Sequence, residues 1–249
     1  MQEITSLNNN LVKETVKLQQ KKYRDLEHKF ILEGYKCVKE AFDAGIDIEY
    51  AFVLEEKVGE YEFLSEKLIK TNAVVLKKVS TTDSAPDVVA VATQKIYDEK
   101  DLKNAKKVVL LENIKDLGNL GTILRTSVAF GADAVVLYGD CADLYNPKCV
   151  RSAVGNLWKI PVVYIKNFEK LNMLFASYQR IATLPRTNNL LKQFKAKPPY
   201  VVMFGSEADG LSEDLIEFST SEVKIEMVSS VESLNLSVSC AVVLYELLT

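Results

Sequence analysis

Two hydrophobic rhythms divide this chain. From residue 107 onward it carries short, continuous apolar runs: KVVLLEN (107–113), AVVLYG (134–139), IPVVYI (160–165), RIATL (180–184), YVVMFGS (200–206) and EVKIEM (222–227). Runs that are apolar on both alternating faces are how buried parallel strands read. Between them, apolar residues recur at helical spacing over 119–130, 146–154, 169–179 and 212–218. The alternation predicts an α/β fold with a doubly wound parallel sheet. The last element, 233–248, is predicted as an apolar helix through Leu234, Val238, Ala241, Val242, Tyr245 and Leu248, with Ser233 as its N-cap. Its start carries Ser233, Asn235, Ser237 and Ser239, more small polar groups than a packing helix needs.

The first hundred residues have a looser pattern. A helix is predicted over 10–24, with Leu11, Val16 and Leu18 on one side and Lys13, Lys17, Lys21, Lys22 and Arg24 on the other. Then come an extended entry and a helix over 30–45, strands at 48–56, 73–80 and 87–95, and a helix near 62–70. This reads as a smaller α/β domain, residues 1–98. The charged stretch before residue 107 lacks apolar periodicity, so 99–106 is the expected linker and 107–249 the second domain.

Composition narrows the class. With 48% hydrophobic and 26% charged residues the chain can bury a substantial core. No apolar run approaches the roughly 20 residues of a membrane span. The first residues also lack a basic-then-apolar signal pattern, so a cytoplasmic protein is expected. Among Cys37, Cys141, Cys149 and Cys240 there is no CxxC, and His28 is the single histidine; neither a metal site nor a histidine-dependent triad is expected. The net charge of −3 disfavours indiscriminate nucleic-acid binding but leaves room for a local basic patch at Lys21, Lys22 and Arg24. That basic side is either such a patch or a solvated helix face.

Ligands of open parallel sheets sit beyond the carboxyl ends of the strands. Those loops are 113–121, 184–189, 205–211 and 227–235, and they hold most of the unusual residues. In NIKDLGNLGTILRTS, Asp116, Gly118, Asn119 and Gly121 open a helix that buries Leu120, Ile123, Leu124 and Val128 and presents Asn119, Thr122, Arg125 and Thr126. Arg125 is either an exposed arginine or a phosphate or ribose contact. Arg151 lies on the helix that follows Pro147. In FGSEADGLS, Gly205 permits close backbone approach and Glu207 stands at the strand's carboxyl end. Neither a P-loop nor a dinucleotide fingerprint is present.

Taken in order, NIKDLGNLGTILRTSVAFGA, RSAVGNLWKIPV, FGSEADGLS and IEMVSSVESLNLSVSCAVVLYE resemble the TrmH (SpoU) branch of the SPOUT superfamily of RNA ribose 2′-O-methyltransferases. The resemblance covers about 107–249. Residues near 24–95 resemble the L30e-like substrate-binding domain that precedes many such enzymes. Leu117 and Glu226 stand where the family often has proline.

The resemblance implies a deep trefoil knot, with the C-terminal helix passed through the preceding loop, and a homodimer. It implies S-adenosyl-L-methionine as methyl donor, contacted by Leu184, Gly205, Ile225, Met227 and Leu234. Catalysis is then expected of Arg125, Asn119, Glu207, Asn235 and Ser233, and RNA contact of Lys21, Lys22, Arg24 and Arg151. Ribosomal RNA is favoured as substrate over tRNA because of the added domain. The alternatives are a non-catalytic RNA-binding protein that keeps the fold and an unrelated nucleotide-binding α/β protein.

Overall fold

The apolar runs become strands in the computed structural model, which describes residues 1–228, 230 and 233–248. In chain order the first elements are β1 (Gln2–Glu3), α1 (Asn10–Lys17), α2 (Lys21–Glu27), β2 (Lys29–Glu33), α3 (Tyr35–Asp43) and β3 (Ile48–Leu54). A 3-10 segment (Glu55–Lys67) leads to β4 (Leu68–Thr71), α4 (Ala73–Val79) and β5 (Val88–Thr93). Then follow β6 (Lys107–Glu112), α5 (Leu117–Ala129), β7 (Ala134–Tyr138), α6 (Pro147–Ala153), β8 (Val162–Ile165) and α7 (Phe168–Phe175). The chain closes with β9 (Gln179–Thr183), β10 (Tyr200–Phe204), α8 (Glu213–Phe218), β11 (Ser221–Val223) and α9 (Leu236–Leu248).

The chain divides into two units. The first comprises 1–95 together with 143–158; the second comprises 96–142 and 159–249. The sequence pattern assigns 143–158 to the second domain, yet its packing partners are in the first.

Among the described residues, the first unit holds a sheet ordered β1-β4-β3-β5-β2, in which β5 runs antiparallel to both neighbours. One side of it packs Ile31, Phe52, Val89 and Val91 against Val12 and Leu18 near α1 and Val75, Leu76 and Val79 of α4. Alternate residues such as Phe30 face the other way. The Phe30 ring lies 4.7 Å from Tyr145 and 6.5 Å from Trp158, which brings the 143–158 segment onto that side. Two ion pairs fasten it. Arg24, 1% exposed, donates from Nε and Nη2 to Asp143 Oδ2 at 3.0 and 2.5 Å, and from Nη1 to the Leu18 carbonyl at 2.8 Å. Arg151 pairs with buried Glu33, whose carboxylate also accepts from the Ser80 hydroxyl at 2.8 Å and the Thr81 N–H at 2.7 Å.

Three local expectations fail in this unit. Residues 73–79 are a helix rather than a strand. The Asn72 side chain caps it by accepting from the Val75 N–H at 3.0 Å, and Val75, Leu76 and Val79 share the buried side while Lys77 and Lys78 are exposed. Cap and burial outweigh the strand preference of the valines. The helix expected near 62–70 is instead the end of the 3-10 segment, followed by β4, which pairs parallel to β3. The helix expected over 10–24 breaks into α1 and α2 around Leu18–Gln20.

Among its described residues the second unit holds an all-parallel sheet ordered β11-β9-β10-β6-β7-β8. Val108, Leu110, Val201 and Met203 pack with Leu171 and Phe175 of α7 and Leu215 and Phe218 of α8. Helices α5 and α9 pack on one another and bury Leu120, Ile123, Leu124, Cys240, Val243 and Leu244. The far end of α9 is tied to the amino ends of β6 and β10. There Lys107 Nζ donates to the Leu248 carbonyl at 3.2 Å and Tyr200 Oη to the Leu247 carbonyl at 3.2 Å. The strand expected over 222–227 ends at Val223. Among the described residues no helix is long and apolar enough to cross a membrane, and no group of side chains is arranged to hold a metal ion.

Candidate active site

The site begins where β6 ends. Asn113 adopts a left-handed conformation (φ 53°), and its Oδ1 accepts the Asp140 N–H at 2.8 Å. The Lys115–Asp140 ion pair joins the same two loops, and Lys115 holds the Asp140 carboxyl below its usual range. Asp116 then caps α5, accepting the Asn119 N–H at 2.7 Å. This fixes the turn on which Asn119 stands.

The loop after β10 is folded tightly on itself. Ser206 and Gly210 exchange N–H···O bonds at 3.1 Å. A Cβ on Gly205 would lie 1.9 Å from the Gly210 carbonyl carbon and 2.1 Å from the Leu211 nitrogen. Only glycine admits that crossing. At the far side of the loop, Ser212 caps α8, and its N–H donates to Glu112 Oε2 at 2.8 Å. Glu112 is 3% exposed. It and left-handed Asn113 are the positioning residues that the sequence does not single out. The clue was a carboxylate closing an otherwise apolar strand.

These two loops and the start of α9 converge. Asn119 Nδ2 donates to Glu207 Oε1 at 2.8 Å, and Asn235 Nδ2 donates to Asn119 Oδ1 at 3.2 Å. Asn235 Oδ1 in turn accepts the Ser237 N–H at 2.9 Å and the Ser237 hydroxyl at 2.7 Å. Asn235, not Ser233, therefore caps α9, and the helix starts at Leu236. The structure thus joins three of the five expected catalytic residues into one chain of hydrogen bonds. Arg125 lies further along α5, exposed, and among the described residues no hydrogen bond or ion pair holds its guanidinium. Ser233 is exposed.

The residues expected at the methyl donor flank this chain. Leu184 is half-buried and its N–H donates to the Val223 carbonyl at 2.9 Å. Ile225 and Met227 are half-buried, and Leu234 is 37% exposed. Among the described residues no hydrogen bond takes up the backbone groups from Ile225 to Val228. Ser229, Val231 and Glu232 of the same loop lie outside the described residues.

The residues expected at RNA are all in the first unit, and they separate into two kinds. Lys21 and Lys22 are exposed, Lys21 beside Asp25 at 2.6 Å. Arg24 is buried with Asp143, and Arg151 is spent on Glu33 and on Thr81 Oγ1, 2.6 Å away. Both arginines hold the unit together, Arg24 fully buried and Arg151 with its side chain 33% exposed.

Comparison with known proteins places this geometry. Residues 106–245 match the SpoU rRNA Methylase family, and residues 9–90 match the MRM3-like substrate binding domain. The chain is 32% identical to an uncharacterised tRNA/rRNA methyltransferase of Synechocystis over 98% of its own length and 92% of the relative's. It is 30% identical to the 23S rRNA (guanosine(2553)-2′-O)-methyltransferase RlmP of Bacillus subtilis, over 99% of each. Its fold superimposes on an AdoMet-bound rRNA methyltransferase of Sinorhizobium meliloti with a TM-score of 0.88 at 27% identity, covering 98% of this chain and 96% of that one. With the parallel sheet, the Asn119–Glu207–Asn235 convergence and a family match spanning more than half its length, the chain belongs to the SpoU rRNA Methylase family.

Proposed function

We propose that this protein transfers a methyl group from S-adenosyl-L-methionine to a ribose 2′-hydroxyl of ribosomal RNA in the cytoplasm, working as a homodimer. The observation that carries this is the hydrogen-bonded chain Glu207–Asn119–Asn235 with Arg125, unengaged among the described residues, on the same helix as Asn119. The residues present suit the methyl donor. Half-buried apolar side chains at Leu184, Ile225 and Met227 flank backbone donors and acceptors at 225–228 that have no internal partner among the described residues, and such groups want an adenine edge. Leu184, Gly205, Ile225, Met227 and Leu234 would hold it, and the donor supplies an electrophilic methyl on a good leaving group.

The protein's share is then to place the nucleophile and receive its proton. Arg125 offers a planar fork to the phosphate beside the target ribose. It cannot act as the base, because guanidinium stays protonated. Asn119 spends its amide on both neighbours, so its role is to fix Glu207 rather than to touch the ribose. Glu207 Oε2 has no partner among the described residues and is the oxygen that accepts from the 2′-hydroxyl. Ser233 and Asn235 close the pocket from the start of α9. Lys21 and Lys22 supply phosphate contacts on the first unit.

The threading of α9 through the loop that precedes it belongs to the same proposal. It is supported by the α9 ties at Asn119 and, at the other end, at Lys107 and Tyr200. The dimer is supported by the exposed apolar side of α9, where Val238 and Val242 are 48% and 40% exposed.

The test is transfer of tritiated methyl from the donor to total RNA that lacks the modification. Wild type should label a ribosomal RNA. Arg125→Ala should abolish labelling with donor affinity intact. If Arg125→Ala instead loses the donor, the phosphate assignment fails. If wild type labels no RNA, the protein is a binder that has kept the fold.

A further inference from the structure

The first unit carries an exposed aromatic surface that neither the active site nor the lysines of α1 and α2 use. Tyr35 and Phe42 stand on α3, 47% and 41% exposed, while Cys37, Val38 and Ala41 point inward. Phe63 of the 3-10 segment fills the space between them. Its centroid is 5.1 Å from Phe42 and 6.2 Å from Tyr35, both edge-to-face, and buried Tyr61 lies 5.5 Å from Tyr35. Exposed rings at this density mark a contact surface.

Its charge says what kind of contact. The segment that supplies Tyr61 and Phe63 reads EEKVGEYEFLSEK. Glu56, Glu62 and Glu66 are exposed, and no ion pair takes them up among the described residues. Burial, then Asp87 and Glu60, push the Tyr61 hydroxyl's pKa up, so negative potential reaches into the cluster. The segment sets five glutamates against Lys57 and Lys67, a balance that disfavours a phosphate backbone. The lysines of α1 and α4 belong to the helix layer against the other side of the sheet. The rings already hold one cation of their own: Lys39 Nζ sits 5.4 Å from the Phe63 centroid and 6.0 Å from that of Phe42. Aromatic faces take guanidinium more readily than ammonium.

We propose that the α3 surface formed by Tyr35, Phe42 and Phe63, with Glu62 and Glu66 on the segment that supplies Phe63, docks an arginine-rich extended segment of a partner protein. Arginine planes stack on the rings, and the glutamates pair with the remaining guanidinium groups. The surface goes beyond methyl transfer and does not depend on it.

Full-length protein titrated with a fluorescent peptide of alternating arginine and glycine tests this. Wild type should bind it more tightly than the lysine counterpart. The Tyr35→Ser/Phe42→Ser variant should lose about tenfold in affinity, from side chains already in solvent. Glu62→Gln/Glu66→Gln, which leaves every ring in place, should also weaken binding and flatten its salt dependence. Lys21→Ala/Lys22→Ala should leave peptide binding unchanged. Equal affinity of wild type and the ring variant would show mere attraction to net negative charge and overturns the proposal. So does loss, in the ring variant, of affinity for single-stranded RNA but not for peptide, which assigns the rings to base stacking.

Discussion

The side-chain amide of Asn119 and the carboxylate of Glu207, 88 residues apart in sequence, meet in a 2.8 Å hydrogen bond. The bond fixes the rotation of Glu207 and leaves its second oxygen turned to the site. Hydrogen bonds to charged groups contribute about 1.5–3 kcal/mol, so its loss should cost roughly 10- to 100-fold in rate. Asn119→Ala should lower kcat by that factor with little change in donor Kd. Asn119→Asp, which sets a second carboxylate against Glu207, should be worse. Single-turnover methylation and donor titration separate these effects; an unchanged kcat in both variants would remove Asn119 from the mechanism.

The first unit offers a contrast between buried and exposed cations. Arg24→Met leaves Asp143 unpaired and should destabilise the protein by about 3–5 kcal/mol, with Arg24→Met/Asp143→Leu recovering much of the loss. Lys21→Ala/Lys22→Ala should leave the denaturation midpoint unchanged and reduce the slope of log affinity for RNA against log salt by about 1–2. Denaturant titration and salt-dependent RNA binding measure the two.

Alkaline pH should unfold this protein from the inside. Burial pushes the Cys37 thiol up to about 12 from an ordinary 9.0, and burial, with Asp133 nearby, pushes Tyr200 up to about 12 from 10.0. Burial moves Cys149 and Cys240 in the same direction. Between the ordinary and the raised values the folded chain keeps protons that the unfolded chain has released. The stabilisation is fully present below pH 9 and is lost as pH rises toward 12, at about 1.4 kcal/mol per pH unit for each titrating group. Denaturation midpoints at pH 8 and pH 10 should differ accordingly, and the buried thiols should stay unreactive at pH 8 until denaturant is added.

The exposed apolar side of α9 makes a claim about assembly. Val242→Asp places a charge on the side that Val238 and Val242 share and should convert a dimer into a folded monomer. Light scattering with circular dichroism would show it. A wild-type protein that is already monomeric would sink the dimer.

Some of this was legible in the residues. The strands of the second unit are read from apolar runs because burial on both faces leaves no other signature. The polar residues at their carboxyl ends pointed to Asn119, Glu207 and Asn235 before any contact was known. The failures share a cause: pattern reports on a residue's own element, not on its partner. Arg24 sits in a basic run and reads as surface, since Asp143, which buries it, is 119 residues away. The valines of 73–79 read as strand because the Asn72 cap weighs little in a periodicity count. Ser233 precedes an apolar helix as a cap should, but Asn235 lies nearer and reaches two N–H groups of the first turn.

The two-part composition of the first unit bears on how the chain is made. Its sheet is complete once residue 95 has emerged, but Phe30, Arg24 and Glu33 still lack Tyr145, Trp158, Asp143 and Arg151. At about 5–20 residues per second, translation takes several further seconds to deliver them. Through that interval the nascent chain exposes an apolar sheet face and two buried-type charges without counterions. The first unit thus cannot close until residue 158 has emerged, and its window of vulnerability to chaperones and proteases is set by ribosome speed.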